Sequence, residues 1–366
     1  MSSDAERPPS APGEAEPDFT SFHTSNFPEL LQHLGISLVV STYQAGKLIL
    51  VRNDGGQLNT HFRQFAAPMG VAFNPSSRAL AVGTRCQVWT FRDHPRVADK
   101  LEPPGKHDAV FLPRGIHFSG DIRIHEIGWV GDELWGVNTR FSCLCTFDRE
   151  HSFVPRWRPP FVSAYAAEDR CHLNGMAIRN GQVQLVTFLA QTNVQGGWRE
   201  HKRDGGGLWD VAEHRLLVGT LCMPHSPRFH AGRIWLLESG LGTISTLEES
   251  TGRLNEVARL PGFTRGLCFV GRYAFVGLSQ IRESAIFGGI PIAESAQDRC
   301  CGVWVVDTHS GATVAFIRFE GVVQEIFAVE ALPNVRFPEL QNEPGEILDS
   351  SFVLPPWAVE TPNESA

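Results

Sequence analysis

Apolar positions in this chain fall in short runs of about five to eight residues, rich in Val, Ile, Leu, Phe and Trp and separated by Gly, Asp, Asn and Pro. Runs of that length and composition read as β-strands. A helical period is almost absent. The one stretch that carries it is FPELLQHL at 27–34, ended by Gly35, which predicts a short helix with a glycine stop.

Three phrases recur in order along the chain. The first is a small residue or Gly leading into an apolar strand, as in MGVAFNP, HEIGWVG, LNGMAIRN, SPRFHAG, TRGLCFVG and QEIFAVE. The second follows a tight turn (ALAVGTR, ELWGVNTR, QVQLVTFL, RIWLLESG, YAFVGLSQ). The third is QVWTFRD, CLCTFDR, GGLWDVA, GTISTLEE or GVWVVDTHSG. The first phrase returns near positions 70, 127, 175, 227, 266 and 326. Uneven repeats of this length, each holding several strands, predict an all-β protein with the blades of a β-propeller. The sixth first phrase has no second or third after it, and the start of the chain supplies ISLVVSTYQ and GKLILVRN with no first phrase before them. A ring closed by joining C-terminal and N-terminal strands in one blade accounts for both defects. The expectation is a six-bladed propeller over 21–345, with seven blades as the alternative.

Composition narrows the setting. Hydrophobic residues make up 42% and charged residues 20% of the 366 positions, enough apolar material for a large core. A net charge of −8 argues against a nucleic-acid or anionic-membrane surface. The first 20 residues and 346–366 are poor in core-forming types and read as disordered tails. The N-terminus has neither the basic nor the apolar region of a secretory signal, so a cytoplasmic location is expected. No C-x-x-C pair occurs among the eight cysteines, which read as reduced, mostly buried thiols.

Candidate chemistry appears where polar residues intrude at the starts of the first phrases. In a propeller the first strand of each blade lines the central channel, and the loop between second and third strands opens on the same face as its start. This brings His125 and Glu126, His172 and Asn174, His225, Arg265, Gln324 and Glu325 to one channel mouth, with Met69 at the corresponding place. The second-to-third loops add Arg85, Asn138, Arg140, Gln191, Asn193, Glu238, Ser239, Gln280 and Arg282, and the composite blade adds Tyr43 and Gln44. Imidazoles from three consecutive blades, read as equivalent in position, suit one transition metal ion such as Fe, Zn, Mn or Cu, with His125, His172 and His225 as ligands. Glu126 or Glu325 would complete the shell or act as base. Arg265 would anchor a substrate, with Arg140, Asn174, Arg85, Asn138, Gln191 and Glu238 around it. The competing explanation is a wet channel whose polar lining bonds only to water. Long loops at 191–207 and 279–300, with the segment 94–121, carry Trp198 and Phe287 and suggest a lid.

The motifs RFSCLCTFD, RWRPPF, DRCHLNGMA, MPHSPR, LPGFTRGL, GLSQIRES and GVWVVD, in this order, closely resemble a bacterial family of conserved hypothetical proteins, from about Phe19 to Leu340. That resemblance implies a propeller and no established activity. More loosely, the chain is similar to the six-bladed gluconolactonase, regucalcin and strictosidine-synthase-like group, whose members place a metal or catalytic residues at the channel mouth. The oxygen-rich Glu, Asn, Asn, Asp pattern of that group is missing here, where histidines stand in comparable places. Two readings follow. One is a metal-dependent enzyme, a lyase, hydrolase or oxygenase, acting on a small, peptide or sugar substrate with an acidic or carbonyl group. The other is a non-catalytic module that binds a glycan, peptide or partner protein.

Overall fold

The computed structural model describes residues 17–281, 288–295 and 299–358. Six sheets stand around one axis, each built on four antiparallel strands that run from channel to rim, in chain order in all but the composite blade, as the repeats predict. Blade 1 is the composite one. Its innermost strand, Ala328–Pro333, comes from the C-terminal part of the chain, and Ile36–Thr42, Lys47–Asp54 and Gln57–Gln64 follow outward. Leu38 pairs with Ala331 and Val40 with Val329 in that closure. The first strands of blades 2 to 6 are Val71–Asn74, Ile124–Val130, Leu173–Arg179, Pro224–His230 and Phe263–Val270, and each contacts the next around the ring.

The strands read as nearly continuous apolar runs because each sheet is covered on both faces by its neighbours. Between blades 6 and 1, Phe275, Val303 and Ile326 meet Leu38, Val40 and Ile49. Between blades 3 and 4, Val137 and Leu144 meet Leu173, Met176 and Phe188. The predicted helix forms at Phe27–Leu34 and ends at Gly35, whose φ of 65° lies in the left-handed region that favours glycine. It buries Phe27 and Leu31 against blades 1 and 6. All eight cysteines are free. No helix among the described residues is long and apolar enough to cross a membrane.

Two short strands were not legible in the repeats. Ser21–His23 adds a fifth strand to the rim of blade 6, and Pro338–Leu340 runs parallel to Ala109–Phe118 at the rim of blade 2. The segment at 94–121 is therefore no lid. It forms a helical turn at Pro95–Lys100 and then the outer strand of blade 2. Two residues inside the segments read as tails make contacts with the propeller. Asp18 accepts a hydrogen bond from the Val322 N–H, and Lys100 bonds to the Ser350 carbonyl. Residues 1–16 and 359–366 lie outside the described residues.

Candidate functional site

The starts of the first strands come together because the chain crosses the channel wall at each of them. Gly70, Gly175 and Gly266 mark the tightest crossings. A Cβ on Gly266 would lie 2.8 Å from the backbone nitrogen of Val329, and its φ of +79° also favours glycine. His125 and His225 are the second residues of their strands. His172 is not equivalent to them. It sits just before its strand at φ 51°, and Asn174 takes the second position instead.

The Nδ1 atoms of His125 and His225 are held alike. Nδ1–H of His125 faces the Arg123 carbonyl at 3.0 Å and the Thr139 hydroxyl at 2.8 Å. That of His225 faces the Met223 carbonyl at 2.9 Å and the Ser239 hydroxyl at 2.9 Å. Both hydroxyls donate onward, Thr139 to the Leu173 carbonyl and Ser239 to the Thr264 carbonyl, each at 2.5 Å. They therefore accept from the rings, and Nε2 of each ring is left as an acceptor. Burial, with Arg265 and a neighbouring imidazole nearby, holds both rings well below the usual histidine range, so they are neutral. His172 differs. Its Nδ1 lies 3.0 Å from a carboxylate oxygen of Asp169. Its ring stands edge-on to His125 with centroids 4.7 Å apart, and Trp198 covers it at 4.3 Å.

Arg265 lies over the ring of Phe327 at 3.6 Å. Among the described residues no carboxylate lies within ion-pair distance of it. Glu325 and Tyr43 are acidic neighbours whose charges act on it, and the Glu325 charge also acts on Tyr43. Burial lowers the guanidinium to about 10, which leaves it charged at neutral pH. Burial and the Glu325 charge push Tyr43 up to about 12. Phe327 also touches the rings of His125, at 5.2 Å, and Tyr43, at 5.5 Å. The structure thus gathers His125, His172, His225, Arg265, Tyr43 and Glu325 around Phe327 at one mouth. Among the described residues, no group of three His, Cys, Asp or Glu side chains is arranged to hold a metal ion.

Most of the remaining expected site residues make other contacts. Glu126 accepts from the Met176 N–H and pairs with Arg228, which also donates to the Leu267 and Met176 carbonyls. Those contacts bind blades 3, 4, 5 and 6 together as a floor beneath the cluster. Burial raises the Glu126 carboxyl despite Arg228. Arg140 pairs with Asp121. Asn138 is fully buried and accepts from the Phe141 N–H inside its own turn. Asn174 bonds to the Pro224 carbonyl and to Thr187, although it also lines the narrow channel beside His125 and His225. Glu238 accepts from the Cys222 N–H, Asn193 ties Arg170 to Ser163, and Arg85 and Gln191 are exposed. Arg282 and Phe287 lie outside the described residues.

Asp169, Thr139, Phe327 and Arg228 also shape the site, and the sequence pattern does not single them out. Asp169 precedes His172 by three positions in EDRCH, a spacing that was available as a signal. The hydroxyls form a belt that had no fixed motif. Ser41 donates to the Met69 carbonyl, and Ser279 to that of Ile326, as Thr139 and Ser239 do in their blades. Above the cluster, Trp198, Cys222, Met223, Phe263, Ile281, Ile290 and Ile292 pack into an apolar roof. Arg203 ties the two long loops together through Glu294, at 3.0 Å, and the Gly289 carbonyl.

Fold and site together define a six-bladed β-propeller with a histidine–arginine cluster at a roofed channel mouth. The chain belongs to the DUF4915 family, described as a domain of unknown function, whose model matches residues 25–340. A search of curated proteins finds no match. Among solved structures, a chain in the crystal structure of a nidogen/laminin complex is similar, with a TM-score of 0.53 and 8% identity over 82% of this chain and 99% of that one. At that identity the likeness bears on the fold alone.

Proposed function

We propose that the protein is an enzyme whose channel mouth binds a small substrate bearing a carboxylate or comparable anion and moves a proton on it through His172. One observation carries this reading: a charged guanidinium with no ion pair among the described residues and an imidazole held by a carboxylate face the same roofed mouth. Arg265 supplies the paired donors that a carboxylate accepts. Asp169 fixes His172 with Nδ1–H toward itself and Nε2 free to accept a proton, and it stabilises the imidazolium formed. His125 and His225, neutral and oriented, accept hydrogen bonds from substrate O–H or N–H groups. The test is a screen of carboxylate-bearing substrates with His172→Ala, Asp169→Asn and Arg265→Ala. We expect His172→Ala to reduce kcat by about 10²–10⁴-fold, and Arg265→Ala to act mainly on KM. Turnover that survives His172→Ala unchanged contradicts the proposal.

A transition metal on His125, His172 and His225 is the second reading. It is favoured by the fixed Nδ1 of each ring, since metal-bound imidazoles donate their other N–H in this way. The absence of a suitable three-ligand group among the described residues weighs against it. Metal analysis of protein purified without chelators decides it: close to one equivalent supports a metal enzyme, and none leaves His172 as a base. If no substrate turns over, a non-catalytic binding module for a glycan, peptide or partner becomes the better account.

A further inference from the structure

We propose that a second site, a cavity at the opposite end of the channel, binds a small organic ammonium ligand beside Glu330. The cavity measures about 550 Å³ and is bounded by the far ends of the first strands and the turns after them, including Asn74, Trp129 and Phe229. That size falls in the range of small-molecule sites. A constriction of about 20 Å³, lined by His125, His225 and Arg265 above and Glu126 and Arg228 below, separates it from the histidine mouth. This constriction has room for about one water, too little for an organic ligand.

Charge selects the ligand. Among the described residues, three carboxyl groups line the chamber, from Glu126, Glu330 and, at its exposed rim, Asp132, against the one guanidinium of Arg228. Arg228 is already paired with Glu126. Among the described residues no cation lies within ion-pair distance of Glu330. Burial pushes its carboxyl up to about 7. The groups facing it are Arg228, the Phe73 backbone N–H, Glu126 and the Cys268 thiol. A buried carboxyl without a counter-ion is unfavourable when ionised, and a docked cation reverses that. The acidic groups do not form a cage for a metal ion. Spread around a chamber walled by Trp129 and Phe229, they suit an organic cation, which aromatic faces also attract.

Calorimetric titration of the full chain with butane-1,4-diamine, and with butane-1,4-diol as the neutral match, tests this. The diamine should bind at least about tenfold more tightly than the diol, and Glu330→Gln should abolish that preference. Arg265→Ala should leave diamine binding unchanged, so failure here and failure of the histidine-mouth reading are told apart. The wild-type protein alone is decisive even if the variant does not fold. Its diamine affinity should climb between about pH 6 and 8 as Glu330 ionises. Absence of diamine binding, equal binding of the diol, an unchanged Glu330→Gln variant or a flat pH profile would each overturn the proposal.

Discussion

His172 and His125 touch, yet a single contact divides their chemistry: a carboxylate holds one ring, and a carbonyl and a hydroxyl hold the other. Asp169→Asn keeps the shape but removes the charge that stabilises the imidazolium. With a substrate in hand it should lower kcat by about 10–10²-fold while KM stays nearly constant, which a KM-against-kcat comparison reads. Arg228 makes the opposite kind of contribution. Its removal leaves Glu126, with a side chain only 12% exposed, without its cation. Arg228→Ala should therefore destabilise the protein by about 3 kcal/mol, measurable as a lowered denaturation midpoint. At this scale the histidines and Arg265 were legible in the sequence, because polar residues at the head of an apolar strand stand out. Their supports were not. Asp169 and the Thr139 hydroxyl lie in turns or at strand ends, where such residues are common for purely local reasons, and the sequence places Ser239 at the rim but not as the partner of His225. The supposed equivalence of His172 failed because it occupies the left-handed position just before its strand, where Arg123 and Met223 stand in the neighbouring blades, two residues ahead of the position that His125 and His225 fill.

At the scale of elements, the strap formed by Pro338–Leu340 fastens blade 1 to blade 2. Arg52 and Lys106 lie over Phe337, at 3.9 and 4.6 Å, and Glu339 sits 2.6 Å from Arg63, 3.1 Å from His61 and 3.8 Å from Arg52. Burial alone pushes the Glu339 carboxyl up, but His61 and Arg63 outweigh it and hold it at about 2. A depressed carboxyl stabilises the fold above its ordinary value of 4.5 and loses that contribution as pH falls toward 2. Urea unfolding of the wild type should therefore weaken steeply over that window. Glu339→Gln should be less stable at neutral pH and lack this part of the acid sensitivity. The Phe27–Leu34 helix was readable from its period and its glycine stop. The strap and the Ser21–His23 strand were not, since three residues are too few to show an alternation and their pairing is set by distant rims.

The whole molecule depends on its seam. Blade number and closure were both legible, because an incomplete repeat at each end of a ring has one economical explanation. Ending the chain at Val322 removes the innermost strand of blade 1 and exposes edges that would pair with other chains. That truncation should yield aggregated protein, and a soluble monomer by sedimentation would count against the ring as a single folding unit. Closure also brings Phe327 and Glu325, late in the chain, against Tyr43, His125 and Arg265, so the mouth exists only in the closed ring. Histidine-selective ¹⁵N NMR during titration with a small carboxylate such as succinate tests the mouth most directly. The signals of His125, His172 and His225 should shift together and saturate on one binding curve in the wild type, and stay still in a folded Arg265→Ala variant. Signals that do not move in the wild type, or that move equally in the variant, would contradict an anion-receiving site built around Arg265.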